Sequence, residues 1–463
     1  MTDGSAGKAD WRGAALASAL ALVCLAGAWL LPMDQCPDEY ARMLLPQWIV
    51  STGTLPTGNE LETIIPLWGF SYALRPYLPA IASAGFMRLA LLVTPSEHVQ
   101  LFAARIPSVI CAVLLFVFCL RLGRRIFRHR ESALSFATLV CFLPQVVFLG
   151  MYQNNDLPAI TAVAATVLCL VRGRDRSWDV PSTVLLGVAI SAVALTYYYA
   201  YSWIIGAVVF CVASFLRDET IPNKPRFLAR RVLLVLAVVV LLAGWHFVRT
   251  ALNQGGDFLG LASETTSRER MSAQGFELHE PLSLRAQGYS FAEFLAYKNG
   301  SFALLTMWSF VGLFGYMDLV LPGWLYDAYA VLIGAGLVFG AVAAIRVRLA
   351  RSARGASDAN RTGQGLLLLA MLISCVITVA LHAWTSYARD FQPQGRYVIT
   401  LILLVAYVIV YGLDSIGAFA PAPRGRHAKA EQTGPAWPAL ALAAIWIVLF
   451  VVSAATGMAR MLP

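Results

Sequence analysis

The sequence predicts an all-α, polytopic membrane protein, with about eleven crossing helices joined by short loops on one side and two large loops on the other. Three observations lead there. The 463 residues are 59% hydrophobic and only 13% charged, with a mean hydropathy of +0.67, against about 45–50% apolar residues in soluble domains. The apolar residues fall in runs of roughly 17–25, the length that crosses a bilayer as a helix. The basic residues sit in short clusters between those runs. The net charge of +9 is therefore spread along loops rather than gathered in a patch with exposed aromatics, and no nucleic-acid surface is expected.

The expected spans, taken in order, are 13–32, 103–121, 132–150, 157–172, 182–198, 200–216, 232–249, 322–345, 365–384, 397–414 and 436–457. The first follows Lys8 and Arg12 but is longer than a signal-peptide core of about 7–15 residues and has no A-x-A site after it, so it reads as an uncleaved helix. With a cytoplasmic N-terminus, the inner segments hold 23 of the 35 Lys and Arg residues, notably RLGRRIFRHR (121–130) and RVRLARSAR (346–354). Residues 415–435 then form a cytoplasmic linker within a single integral-membrane domain, 1–463. Loops 33–102 and 250–321 face the extracytoplasmic side of what is expected to be a bacterial cytoplasmic membrane. Tyr77–Val93 is apolar but lacks a basic stop, so it is expected to lie in the outer interface. The stretch 263–281 is polar and expected to be mobile, and a Trp- and Gly-rich interfacial stretch follows it. Of the eight cysteines, all but Cys36 lie in apolar runs, and neither a disulfide framework nor a CxxC metal signature is present.

Ionisable and amide groups gather at the outer ends of the spans. Asp38 and Glu39 follow the first, Asn154-Asn155-Asp156 separate the third and fourth, and Gln392-Pro-Gln394-Gly395-Arg396-Tyr397 precedes the tenth. An acid beside hydrocarbon is costly to ionise without a partner, and convergence of such groups is what an active site at the membrane face needs. A carboxylate serves as general base, which fits Asp38 with Glu39 beside it. A guanidinium matches phosphate oxygens with paired donors, which fits Arg396 first and Arg249 second. Structural readings compete: Pro37-Asp38-Glu39 as the first helical turn, with Asp38 pairing Arg42 four residues on, Asn155-Asp156 as a helix cap, and both arginines as snorkelling residues. Asp34, Glu60 and Glu62 read as solvated loop acids. His246, His279 and His382 have no ligand spacing, and Tyr197–Tyr201 reads as an interfacial aromatic group.

These motifs resemble the GT-C superfamily of polyprenyl-phosphate-sugar-dependent membrane glycosyltransferases, which place an acid, often Asp-Glu, just after the first helix. Within it, the chain is most similar to a bacterial family of uncharacterised membrane proteins. That family's motifs are matched here by Pro37-Asp38-Glu39, Asn155-Asp156, Trp245 and Arg249 with Gly256-Asp257, Trp308 to Asp318, and Gln394-Gly395-Arg396-Tyr397. Tyr40 departs from it, since the family often has a small residue and then His there. The resemblance implies an integral-membrane glycosyltransferase. It would move a sugar from a polyprenyl-phosphate-linked donor to a glycan, lipid or protein acceptor at the extracytoplasmic face, with inversion. Asp38 and Glu39 would be catalytic, and Arg396 and Arg249 would bind the donor phosphate. Asn155, Asp156, Gln394, Tyr397 and Asp318 would bind substrate. Some branches of the superfamily use a divalent cation and others none. The alternatives are a transporter or flippase of lipid-linked saccharides, disfavoured by the absence of a visible repeat, and a non-catalytic scaffold of envelope assembly.

Overall fold

A computed structural model describes residues 11–219, 221, 223–352, 359–416 and 436–462. The linker expected over 415–435 lies, beyond residue 416, outside the described residues. Among them the chain is helical except for one two-stranded ribbon, β1 (Leu313–Phe314) paired antiparallel with β2 (Leu319–Val320).

Among the described residues eight helices are long and apolar enough to cross a membrane, and the protein is a multi-pass membrane protein. They include α1 (Trp11–Leu30), α4 (Glu97–Ile126), α7 (Asp156–Asp175), the span Tyr198–Arg217 made of a short turn and α9 (Ser202–Arg217), and α10 (Lys224–Asn253), with α13 (Gly323–Ser352), α14 (Ala359–Ala388) and α16 (Trp437–Thr456) closing the set. Two expected spans are the shorter apolar helices α8 (Val180–Thr196) and α15 (Leu401–Asp414). The expected continuous span 132–150 is instead broken: α5 (Arg130–Cys141) stops, Leu143 is extended, and α6 (Pro144–Leu149) restarts with proline at its first turn. Proline has no N–H to continue the ladder and pushes the preceding residue out of helical conformation. Both pieces are buried, so the freed backbone lies within protein rather than lipid.

α4 is the hub, packing on α1, α5 and α7 and on α3 (Leu78–Leu91), which lies between it and α2 (Glu39–Thr52). At 14 residues α3 rises about 21 Å, short of a bilayer core. The main apolar core runs between α1, α4, α5, α6, α7, α8, α9, α13, α14, α15 and α16, around buried Phe116, Phe148, Tyr329 and Trp446. By contrast, α10 packs on α8 and few of its residues are fully buried, which leaves one side of it exposed, as expected of a helix facing lipid.

The second large loop departs from expectation. Its polar stretch forms a docked helix, α11 (Leu261–Ala273), in which the Ser267 hydroxyl donates to the Gly69 carbonyl at 2.8 Å and Arg268 Nη1 to the Trp68 carbonyl at 2.7 Å. The Glu264 carboxylate forms a paired salt bridge with Arg75. After it, α12 (Phe291–Val311) breaks at Tyr297–Gly300. The two large loops are thus built against each other.

Candidate active site

α2 begins at Glu39, not at Pro37. Asp38 precedes it in the left-handed region, with φ 60° and ψ 1°, and its side chain caps nothing. This conformation is uncommon outside glycine, Asn and Asp. The neighbouring acids take different partners.

Glu39 is fully buried and accepts two bonds from Arg105 on α4, from Nε at 2.8 Å and Nη2 at 2.6 Å, and one from the Gln153 amide at 2.8 Å. Arg105 also donates to the carbonyls of Ala28, Leu31 and Pro32, at 3.0, 2.6 and 3.3 Å. It therefore uses all five N–H donors of a guanidinium, three of them on the frayed end of α1. Glu39, expected as a second catalytic acid, is committed to holding α1, α2 and α4 together.

Asp38 faces the other way. Its Oδ2 lies 2.5 Å from Nη2 of Arg396, which is 358 residues later. The Asp38 side chain is 25% exposed and that of Arg396 5%. The i+4 pairing with Arg42 does not form; Arg42 instead lies 4.9 Å from the Tyr72 ring. Burial by itself raises the Asp38 pKa, but the charges of Arg396, Arg42 and Arg75 outweigh it and hold the carboxyl below its ordinary value.

Arg396 lies in a short 3-10 turn (Gly395–Val398) pressed onto α12. The Gly395 amide donates to Ser309 Oγ at 2.6 Å, and a Cβ at position 395 would stand 2.1 Å from the Phe310 nitrogen. Arg396 Nε donates to Gln394 Oε1 at 2.6 Å, while Nη1 is buried without a partner. Tyr397 stacks on Tyr199 at 4.8 Å and donates to Gln392 Oε1 at 2.7 Å.

The Asn-Asp pair divides likewise. Asn154 Oδ1, rather than Asn155, accepts from the Leu157 amide at the start of α7. Asn155 Nδ2 donates to the Pro76 and Thr196 carbonyls at 3.2 and 2.9 Å, tying the first loop to the end of α8. Asp156 is buried with neither carboxylate oxygen hydrogen-bonded among the described residues, and the charges acting on it are those of Arg396, Arg42 and Asp38. The Tyr152 hydroxyl and the side-chain amide of Gln153 are likewise buried and unpartnered among the described residues. Native interiors leave few polar groups unmet, so a cluster of them around Asp38 and Arg396 marks a candidate ligand site.

Two expected residues stand apart. Arg249 braces the first loop, donating to the Leu55 and Pro56 carbonyls at 2.6 and 2.7 Å and to the Tyr77 hydroxyl at 3.2 Å. Asp318 is exposed on the turn between β1 and β2, its carboxylate folded over Gly315. The sequence reading missed Arg75, Arg105, Tyr72, Gln153 and Glu264, and took Arg42 only as a helix partner. For Arg105 the signal was present: an arginine inside an apolar run demands a partner.

The sequence profile of the family described as dolichyl-phosphate-mannose-protein mannosyltransferase matches residues 79–245. Superposed on the oligosaccharyltransferase of Archaeoglobus fulgidus, solved with a tethered acceptor peptide, the chain aligns over 97% of its length with a TM-score of 0.55 at 13% identity. The chain has the GT-C fold. It covers 56% of that oligosaccharyltransferase, so the GT-C bundle seen here corresponds to about half of the larger protein. The Archaeoglobus fulgidus enzyme AglB, in complex with an inhibitory peptide and a dolichol-phosphate, aligns with a TM-score of 0.50 at 12% identity, over 96% of this chain and 56% of that one. ArnT from Cupriavidus metallidurans, bound to undecaprenyl phosphate, gives 0.47 at 13% identity, over 96% and 72%. No curated protein sequence matches the chain.

Proposed function

We propose that this GT-C protein is a membrane glycosyltransferase that moves a sugar from a polyprenyl-phosphate-linked donor to a hydroxyl of an envelope glycan, lipid or protein at the extracytoplasmic face. The observation that carries the reading is the Asp38–Arg396 pair, formed across 358 residues at one end of the bundle and surrounded by unpartnered Asp156, Tyr152 and Gln153. The matched mannosyltransferase profile and the dolichol-phosphate held by the similar enzyme AglB support the donor class.

In this mechanism Arg396 offers its free Nη1 to the donor phosphate, and guanidinium and phosphate oxygens match in charge and geometry. As the phosphate draws on Arg396, Asp38 loses the charge that depresses its pKa and becomes a stronger base. Asp38 takes the acceptor hydroxyl proton, the acceptor oxygen bonds to the anomeric carbon, and the bond from that carbon to the phosphate oxygen breaks. Attack opposite the leaving group inverts the anomeric centre. Polyprenyl phosphate departs with the electron pair, held by Arg396. Asp156, Gln394 and Tyr397 would bind sugar hydroxyls, and Asn155 positions the loop. Asp38 and Asp156 are the residues that would hold a divalent cation, which would supply further charge to offset the phosphate. Among the described residues no group of three or more His, Cys, Asp or Glu forms a fuller ligand set.

The test is release of polyprenyl phosphate from a panel of polyprenyl-phosphate sugars by the purified protein in lipid nanodiscs. Asp38→Asn should abolish release while retaining polyprenyl phosphate binding, and Arg396→Ala should weaken that binding. Undiminished turnover in Asp38→Asn would overturn the assignment.

A further inference from the structure

Beside Asp38 lies a small open cleft that the transfer chemistry leaves unassigned. It is lined by apolar Leu45 and Ala80 and by Arg42, Tyr72, Arg75, Gln153 and Tyr197, with no carboxylate among the lining residues. Both oxygens of Glu264 meet Arg75. Arg42 is different. It is 6% exposed, its Nε is buried without a partner, and its guanidinium makes no ion pair or hydrogen bond among the described residues. Of the two carboxylates whose charges reach it, Asp38 is taken by Arg396, and Asp156 makes no hydrogen bond to it. Gln153 is 2% exposed, with both Oε1 and Nε2 unpartnered.

Two nearly buried side chains thus present unmet polar atoms to one cleft, one of them a full positive charge, amid tyrosine rings. An aromatic face with planar hydrogen-bonding groups suits a sugar ring, and an unpaired guanidinium suits a carboxylate. Arg42 lies one turn along α2 from Asp38, its amide donating to the Asp38 carbonyl at 2.9 Å. A sugar anchored on Arg42 would therefore have hydroxyls near the proposed base, whereas the donor phosphate is drawn to Arg396.

We propose that this cleft is the subsite for an acidic, carboxylate-bearing sugar of the acceptor, held by Arg42 and Gln153. The acceptor assignment rests on the transferase reading; the preference for an acidic sugar does not, and it is read from binding alone.

The probes are methyl glucuronide, methyl glucoside and methyl glucosaminide, followed by saturation-transfer NMR on the full chain in phosphatidylcholine nanodiscs. The glucuronide should bind about tenfold more tightly than the glucoside, the gain expected of one charge-assisted pair. Arg42→Gln should bring it to the level of the glucoside. Gln153→Glu, which leaves Arg42 in place, should reverse the order in favour of the glucosaminide, and it keeps the test open should Arg42→Gln fold poorly. Added polyprenyl phosphate should leave glucuronide binding unchanged. Equal binding of the three sugars, an undiminished preference in Arg42→Gln, or displacement of the glucuronide by polyprenyl phosphate would each overturn the proposal, the last by making Arg42 part of the donor site. Should the preference hold while Asp38→Asn leaves turnover intact, the transferase mechanism fails and the acidic-sugar site stands.

Discussion

Glu39 and Asp38 are sequence neighbours with opposite expected responses to substitution. Replacing Arg105 by Met would leave the fully buried Glu39 carboxylate with one hydrogen bond, from the Gln153 amide, and would strip the Ala28, Leu31 and Pro32 carbonyls of their donor. Breaking a buried pair by removing one partner costs roughly 3–5 kcal/mol, a large share of the ~5–15 kcal/mol by which proteins are stable. Glu39→Gln should cost about as much, since it strands the buried Arg105 charge. The pair of changes should be milder than their sum by up to about 3 kcal/mol, because each has already removed the other's partner. Asp38→Asn should cost only about 1.5 kcal/mol, the low end for a bond to a charged group. Its side chain is a quarter exposed, and asparagine tolerates the left-handed backbone. The assay is the thermal half-life of the monodisperse, detergent-purified protein, read beside polyprenyl phosphate release, since unfolding of such proteins is commonly irreversible. A large loss of stability in Arg105→Met and Glu39→Gln, with turnover lost and only a small loss of stability in Asp38→Asn, is the expected pattern. Should Glu39→Gln keep its half-life and lose turnover, the anchoring role of Glu39 is wrong.

Three further outcomes follow from the same geometry. Arg249→Ala should loosen the first loop, speeding amide exchange over residues 53–60 by about tenfold or more, while polyprenyl phosphate binding changes little; a specific loss of that binding would return Arg249 to the donor site. Gly395→Ala should destabilise the protein by about 3 kcal/mol or more, because the added methyl would meet the Phe310 backbone rather than a yielding side chain; an unchanged melting temperature would show that the turn is not pressed on α12. Arg396→Gln should shift the acid limb of residual transfer to higher pH. Asp38, whose pKa Arg396 depresses, acts as a base above its folded pKa, and the stability it contributes is lost as pH falls through that value; a limb that stays in place would remove Asp38 as the base.

The helical framework was legible because hydrocarbon imposes length and composition on whatever crosses it, and each expected span apart from 132–150 coincides with one helix. That exception turned on Pro144, whose effect depends on burial that an apolar run does not reveal. Asp38, Asp156 and Arg396 stood out as polar residues at helix ends, and the structure brings them together. Their division of labour was not legible. The left-handed turn at Asp38 sends adjacent acids to different arginines, and chain spacing says nothing of where a side chain points. Arg249 and Arg396 look alike in sequence, but one meets loop carbonyls and the other a carboxylate. The polar run at 263–281 read as mobile because its anchors, Arg75, Gly69 and Trp68, are nearly 200 residues away.

Arg105 has a consequence beyond stability. By gripping both the carbonyls at the end of α1 and the first carboxylate of α2, α4 acts as a gauge that fixes where the turn carrying Asp38 stands against the bundle. Sliding Arg105 one residue along its helix would rotate and shift the grip together. The position of the acid is thereby written into a different helix from the one that carries it.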